Sequence, residues 1–194
     1  MEHSSSSKRA SRAFIRLVSL LAVAIVAFSA AGCEKESKPA EAKNEGIRVY
    51  VDGAYYQVQI SRMLNPKDVE DSFYLEGQPA PAKGDAYFGV FMYVTNEDSD
   101  RRILPIGTEE MKIVTAAGEE FEPLEVEAPG WGYAPSPIGR GAMLPVANTP
   151  AFVGPIRGGL VLFRMSQASL EARPLELELE SRDGKDKAQI TLDV

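Results

Sequence analysis

The sequence predicts an all-β fold, an antiparallel β-sandwich of about seven to nine strands. From Ile47 onward, apolar residues recur at every second position, which is the period of strands that bury one face. Turn residues such as Gly, Asn and Asp separate these short stretches. No stretch of helical period is longer than about ten residues. Many short strands divided by turn signals are typical of a sandwich.

The clearest strand lies near the C-terminus, at Leu175–Glu180, where leucine and glutamate alternate. On a helix these leucines would spread over too wide an arc to share one face. Ala188–Val194 repeats the alternation, and Asp183-Gly184 between the two stretches is a turn signal. We therefore predict a hairpin at the end of the domain.

Further strands are predicted upstream. The stretches that show the strand period are Ile47–Val51, Tyr55–Leu64, Ala86–Thr95, Ile103–Ile106, Met111–Thr115, Glu120–Leu124 and Gly159–Met165. Ala86–Thr95 is apolar on both faces, which indicates a strand at the centre of its sheet. Ser166–Arg173 is predicted to form one or two helical turns. Residues 46–194 are thus predicted to be one domain of ordinary size.

Residues 1–32 are typical of a secretory signal peptide, because basic residues precede an uncharged run from Leu17 to Ala31. The run ends in Ala30-Ala31-Gly32-Cys33. In its residue order this junction resembles the lipobox of bacterial lipoproteins, in which the Cys receives a diacylglyceryl thioether and becomes the new N-terminus. The resemblance implies lipid attachment at Cys33, with acyl chains such as palmitate, and export to a membrane-anchored position outside the cytoplasm. The alternative is an uncleaved anchor, although a bilayer span needs about 20 apolar residues.

Residues 33–45 are charged and lack aromatic residues, so we predict a flexible spacer there. Removal of residues 1–32 takes away four basic groups and one acidic group, which changes the formal charge from −7 to −10. Such an acidic domain is a poor partner for nucleic acid, whose phosphates are held by clustered Lys and Arg. The membrane, reached through Cys33, is the first partner that we expect.

Histidine and cysteine are nearly absent from the predicted mature chain. The only His is His3, in the signal peptide, and the only Cys is Cys33. Their absence excludes Ser-His-Asp and Cys-His catalysis and nearly all zinc and copper sites. The acidic pairs Glu109-Glu110 and Glu119-Glu120 leave carboxylate-dependent hydrolysis open, but both lie at predicted turns. We expect no catalytic residue, no metal and no cofactor, and hence no enzyme.

The stretch from Pro129 to Gly159 is the candidate binding loop. It holds 6 Pro and 7 Gly among 31 residues, yet it also contains Trp131 and Tyr133, which a pure linker would lack. Connections this long are usually functional or disordered. One interpretation is that the two aromatic side chains bind a sugar or a peptide. The favoured one is that they pack the loop over an open end of the sandwich.

Two further groups of residues are interpreted as structural. Asn96–Asp100 has oxygen-bearing side chains at alternate positions, as a calcium loop does, but Arg101 stands where an EF-hand needs Gly. We interpret it as a solvated turn. Tyr55-Tyr56 and the aromatic residues of Tyr87–Tyr93 are ordinary strand residues, for which packing is the default interpretation.

Strand motifs in a fixed order resemble a known family. They are YFGVFMYVTN at 87–96, IVTAAGEEF at 113–121, RGGLVLF at 157–163, PLELE at 174–178 and ITLDV at 190–194. This order is similar to that of the telokin-like domain of secreted bacterial lipoproteins, a domain of unknown function. The resemblance implies an immunoglobulin-like sandwich and an exported, anchored location. It implies no activity, because the family has no common one.

The sequence thus predicts a membrane-anchored lipoprotein that acts as a non-catalytic cell-surface binding module. Its partner would be an envelope protein or a cell-wall component. The alternatives are an accessory small-ligand-binding subunit of a membrane complex and, less favoured, a carboxylate-dependent hydrolase. An apolar pocket would favour the small ligand, whereas a flat exposed patch would favour a protein partner.

Overall fold

Two β-sheets face each other across an apolar core in the computed structural model, which describes residues 40–97 and 100–193. The strands are β1 (Ala40–Ala42), β2 (Arg48–Val51), β3 (Ala54–Leu64), β4 (Asp85–Thr95), β5 (Met111–Thr115), β6 (Glu120–Phe121), β7 (Met143–Leu144), β8 (Gly159–Ser166), β9 (Leu175–Glu180) and β10 (Lys187–Leu192). The helices are α1 (Val69–Tyr74), α2 (Pro150–Val153) and α3 (Gln167–Glu171), and Thr108–Glu110 forms a 3₁₀ turn.

Sheet A has the strand order β1-β10-β9-β5-β6, and sheet B has the order β2-β3-β4-β7. In sheet B, β8 pairs with the first part of β4 and β7 with its last two residues, on the same side. All these pairs are antiparallel except β1 with β10, which is parallel. The predicted all-β sandwich is confirmed. Three of its strands, β1, β6 and β7, have only two or three residues.

The C-terminal hairpin has the predicted register. Leu175, Leu177 and Leu179 are at most 1% exposed, and the glutamates between them point outward. Leu177 lies between Ile190 of β10 and Ile113 of β5. The leucines of β9 therefore lie at the centre of the core between the sheets.

Strand β4 is buried on both faces and is central, as predicted. Its inner face, including Phe88 and Val90, contributes to the core between the sheets. Its outer face, with Tyr87 and Phe91, belongs to a second apolar cluster with Leu64, Leu75, Leu160 and Leu162. Helix α1 covers this second cluster, and Tyr74 packs edge-to-face on Phe91 with ring centroids 5.1 Å apart.

Helix α1 was not predicted, because six residues are too few to show a helical period. Its start is fixed by Asp68, whose carboxylate accepts hydrogen bonds from the backbone N–H groups of Glu70 and Asp71 at 2.9 and 3.2 Å. The buried Asp71 carboxylate pairs with Arg62 and accepts from the N–H of Asn65 at 2.7 Å. Tertiary contacts thus stabilise this short helix.

The predicted spacer 33–45 needs correction over its described part. Ala40–Ala42 forms β1 and pairs with Ala188–Ile190 of β10, and the Ala42 methyl group is 2% exposed. The Glu45 carboxylate accepts hydrogen bonds from the Ser61 hydroxyl and from the N–H of Asp193. Backbone pairing with a neighbouring edge strand orders this charged stretch, although its composition offers little apolar surface.

Several strand bounds also differ from the predictions. Ile103 forms one bridge to Ile138 and begins no strand. The strand predicted at Glu120–Leu124 ends at Phe121, and β7 was not predicted. In these places loop segments pair with strand edges over one or two residues, a length at which alternation gives no signal. The predicted helical turn at 166–173 is confirmed as α3.

Leu177→Asp should lower the free energy of unfolding by roughly 3–5 kcal/mol, because it places an unpaired carboxylate in the core. Glu176→Gln is the matched control on the outer face of the same strand, and it should change the unfolding free energy by less than about 0.5 kcal/mol. Urea denaturation of both variants measures the difference. Equal effects would contradict the strand register described above.

Candidate functional site

The outer face of sheet A is charged, and its two lysines, Lys112 and Lys187, are paired with glutamates. Lys112 lies 2.7 Å from Glu120 and 3.4 Å from Glu178, measured between side-chain N and O atoms. Lys187 lies 3.2 Å from Glu180. The carboxylates next to Lys112 raise its pKa, with the Glu120 hydrogen bond as the largest cause. This face is an ordinary solvated surface.

The outer face of sheet B is different, because one half of it presents tyrosines. The residues that share this half are Arg48, Tyr50, Tyr55, Gln57, Tyr93, Thr95 and Met143, which we call the tyrosine face. They lie in two rows across the strands. One row runs Tyr50, Tyr55, Thr95, Met143, and the other runs Arg48, Gln57, Tyr93.

Alternation in the strands explains why these side chains share one side. Val49 and Val51 of β2 and Tyr56 and Val58 of β3 point inward to the core, so the residues between them point outward. Beyond Val58 a β-bulge shifts the register of β3. The tyrosine face therefore ends at the bulge, and the covered half of the outer face lies beyond it.

The rings of the tyrosine face are not coplanar. Tyr50 and Tyr55 have centroids 5.0 Å apart and planes inclined by 62°. The Arg48 guanidinium lies 5.4 Å from the centroid of the Tyr55 ring and pairs with Glu97. Two rings at this angle cannot both stack on one flat sugar ring. The two rings form a corner.

The cover over the other half of sheet B does not reach this surface in the described part of the chain. Tyr50 is 46% exposed and Met143 is 40% exposed. Between Tyr55 and Met143 in the same row, the Thr95 hydroxyl is buried, and among the described residues it has no hydrogen-bond partner. The tyrosine face thus combines exposed apolar area with polar groups, as protein interfaces do.

Tyr133 of the candidate loop lies in the core between the sheets. It is 7% exposed, and its hydroxyl donates to the carbonyl oxygen of Ile106 at 2.7 Å. The Tyr56 hydroxyl accepts from the N–H of the same Ile106 at 2.8 Å. Burial raises the pKa of both tyrosines well above the ordinary value, so both stay neutral. Tyr133 is therefore not available to bind a ligand.

Trp131 lies on the opposite side of sheet B from Tyr133, in the second apolar cluster. Its ring meets the Tyr74 ring edge-to-face, with centroids 4.7 Å apart and planes at 87°. Backbone hydrogen bonds fix the segment between the two aromatic residues. The Leu160 N–H donates to the Trp131 carbonyl oxygen and the Tyr133 N–H donates to the Leu160 carbonyl oxygen, both at 2.9 Å. The structure does not bring the two aromatic side chains together.

Two of the other candidates from the sequence, Asn96 and Glu110, have structural partners, and residues 98–99 of the predicted turn lie outside the described residues. Asn96 is buried, and its side-chain amide donates to the carbonyl oxygens of Arg101 at 2.9 Å and Ile138 at 3.1 Å. Glu110 accepts from the N–H of Gly107 at 2.7 Å. Within residues 40–97 and 100–193, no group of acidic, His or Cys side chains is placed to hold a metal ion. Cys33 lies outside the described residues.

Two cavities of about 440 Å³ each lie in the described part of the chain. One is on the charged face of sheet A, beside Lys112 and Glu178. The other lies where β3 ends, beside Arg62 and three aspartates. Neither is an apolar pocket. Among the described residues, no helix is long and apolar enough to span a membrane.

Sequence reasoning did not single out Arg48 and Tyr50, and its interpretation of Tyr55 and Tyr93 as packing residues is wrong, because both lie on the partly exposed tyrosine face. A signal was present for Tyr50, because Val49 and Val51 on either side have the phase of the core. Tyr93 gave no such signal, since β4 is apolar on both faces. These residues meet only because of the register of β2, β3 and β4, and this register cannot be derived from the sequence pattern.

Comparison with known proteins identifies the fold. No protein-family model matches the chain, and no curated protein is significantly similar to it. The crystal structure of a secreted protein of Mycobacterium tuberculosis, MPT63, is similar, with 13% identity and a TM-score of 0.50 over 81% of this chain and 99% of that one. An uncharacterised β-sandwich protein of Clostridium difficile has 12% identity and a TM-score of 0.44, over 84% and 99% of the two chains. The first likeness shows the fold.

Gly154→Ala should destabilise the domain by about 1–3 kcal/mol, because the new methyl carbon would lie 2.3 Å from an atom of the Trp131 ring. The emission of Trp131, the only Trp, should shift at the same time because its ring must move. Gly139→Ala is the matched control, since no atom lies within 4 Å of the added carbon. Fluorescence and thermal melts compare the two variants. An unchanged Gly154→Ala emission would contradict the packing of Trp131 described here.

Proposed function

We propose that this chain is an exported lipoprotein, anchored through Cys33, that binds a protein of the cell envelope through its tyrosine face and does so without catalysis. The observation that supports the binding function best is the contrast between the two outer faces of the sandwich. One face is charged and acidic, with more glutamates than lysines, and the other presents three tyrosines, an arginine and a methionine.

The composition of the tyrosine face is that of an interface. Tyr, Arg and Met are enriched at protein–protein interfaces, and Tyr and Arg are frequent among the residues that dominate binding energy. A tyrosine adds a large contact area with little loss of side-chain entropy, because it has only two rotatable χ angles. The Tyr50–Tyr55 corner and the Arg48 guanidinium are already in contact before binding, which lowers the cost of ordering them.

Export and anchoring are supported by the N-terminal sequence. The basic start, the uncharged run and the Ala-Ala-Gly-Cys junction form a signal with a processing site. A protein with the same fold, from Mycobacterium tuberculosis, is described as secreted. More than one acyl chain would be needed for a stable anchor, since a single chain gives only marginal membrane binding.

Cys33→Ser should abolish lipid attachment and leave a precursor that retains residues 1–32. The native chain should instead begin at a lipid-modified Cys33. Ser29→Ala is the control in the same region and should be processed normally. Mass spectrometry measures the mass of the N-terminal peptide in the native chain and in both variants. An unmodified Cys33 in the native chain would refute the anchoring proposal.

A photoreactive phenylalanine derivative at Tyr50 should crosslink in native membranes to one discrete protein. The same probe at Gln189, on the outer face of sheet A, is the matched control and should not. Tyr93→Ala in the Tyr50 probe chain should reduce the crosslinked product by at least about tenfold, as loss of a dominant interface residue does. Thermal melts must show that the variant stays folded. Equal crosslinking from Tyr50 and Gln189 would contradict the proposal.

A further inference from the structure

One end of the sandwich is assembled around Arg182. Its guanidinium donates to the carbonyl oxygens of Leu104 at 3.2 Å and Pro105 at 2.7 Å. It also lies 3.8 Å from the Asp52 carboxylate in the β2–β3 turn and 3.5 Å from Glu110. The β2–β3 turn, the segment before β5 and the β9–β10 turn therefore meet at the same end, which we call the Arg182 end.

The opposite end carries α1 and is called the α1 end. Strand β3 runs from Ala54, next to the β2–β3 turn, to Leu64, next to α1. Strand β4 starts at this end, where Asp85 pairs with Ser166. In sheet A the turn after β5 lies at the same end, because the Ala116 N–H donates to the carbonyl oxygen of Ala172 at 3.0 Å. Ala172 follows α3, which begins directly after Ser166. The 11 residues of β3 separate the two ends by about 33 Å.

The chain enters the described domain at the Arg182 end. Ala40, the first residue of β1, pairs with Ala188, the second residue of β10, directly after the β9–β10 turn. Three paired residues and the buried Ala42 methyl group fix this entry point. Only residues 34–39 separate Ala40 from Cys33 in the sequence.

From these positions we infer that the Arg182 end faces the membrane, so that the tyrosine face lies beside the bilayer and its partner is a membrane-embedded protein. The inference rests on the proposed lipid attachment at Cys33. Seven residue steps reach at most about 25 Å when fully extended. Five steps of β10 separate Ala188, the partner of Ala40, from Asp193, and Asp193 and Ser61 both bond to Glu45 three steps before the end of β3. If the α1 end faced the membrane, Ala40 would therefore lie about 27 Å from it, which exceeds even the fully extended reach.

The tyrosine face lies in the half of sheet B next to the Arg182 end. Tyr55 is the second residue of β3, and Tyr93 and Thr95 are among the last three of β4. A partner that docks there must present its surface close to the bilayer. The exposed part of a membrane-embedded protein meets that condition, whereas a cell-wall component far from the membrane does not.

Energy transfer to labelled lipids tests this orientation. A lipid-modified Cys33 has no free thiol and is the only Cys, so one added Cys can be labelled alone. Lys185→Cys places a dye at the Arg182 end and Lys83→Cys places one at the α1 end. Both replace an exposed lysine in a turn. The purified lipid-modified chains are inserted into vesicles of phosphatidylcholine and phosphatidylglycerol that carry acceptor-labelled lipid.

Transfer from Lys185→Cys should exceed transfer from Lys83→Cys at least about twofold, given the separation of about 33 Å between the ends. Equal or reversed transfer would overturn the inference. Insertion of about twenty Gly and Ser residues after Glu36 should remove the difference, because the longer tether lets either end reach the bilayer. If the two positions still differed in energy transfer after the insertion, the short tether would not be the cause of the orientation.

This test is separate from that of the proposed function. If Cys33 carries no lipid, the chain either does not bind the vesicles or binds them through the uncleaved run of residues 17–31. In both cases the proposed lipid anchoring fails, and the inference that rests on it fails too. If the lipid is present and the transfer pattern is reversed, the anchoring stands and only the orientation is wrong. The mass of the N-terminal peptide, measured on the same sample, distinguishes the two outcomes.

Discussion

The structure depends on one constraint, which is that the β4–β8 pair is apolar on both faces. Phe88 and Phe163 face sheet A, and Phe91 and Leu160 face the opposite way, all fully buried. Full burial of each such side chain contributes about 1.5–3 kcal/mol. A two-layer sandwich covers only one face of sheet B. The long connections are therefore a requirement of the fold, since α1 and the segments that hold Leu124, Val126, Trp131 and Ile156 supply the missing third layer.

That third layer stops part of the way along the sheet, and the chain itself sets the limit. Strand β8 pairs with β4 only as far as Met92, and β7 takes over at Val94. The changeover needs Gly158, which has a φ of +137° and lies where an added carbon would be 2.7 Å from the Met92 nitrogen. Beyond this point the outer face has no cover from the described segments and becomes the tyrosine face. Covered core and exposed site are thus two parts of one sheet surface.

Period-two alternation predicted the elements that bury one face, and it gave β5 and β9 with their observed bounds. It failed where a contact distant in sequence decides the structure. β1 forms because β10 offers an edge, and its three residues, Ala-Glu-Ala, are too few to show alternation. Tyr133 is buried because Ile106, 27 residues earlier, presents its backbone carbonyl group to it. The site was harder still to predict, since Tyr50, Tyr55 and Tyr93 meet only through the register of three strands.

The charge of the domain limits how the tyrosine face can bind. With a formal charge of −10 after removal of residues 1–32, the domain repels anionic lipid and nucleic acid at long range. Arg48, the charged residue of the face, is paired with the neighbouring Glu97, so this pair adds little to the long-range potential. Affinity at this surface must therefore come from short-range contacts of the tyrosine rings, and such contacts are weakly screened by salt. A tether that holds the face close to its partner offsets the absence of long-range attraction, because it raises the effective concentration of one for the other.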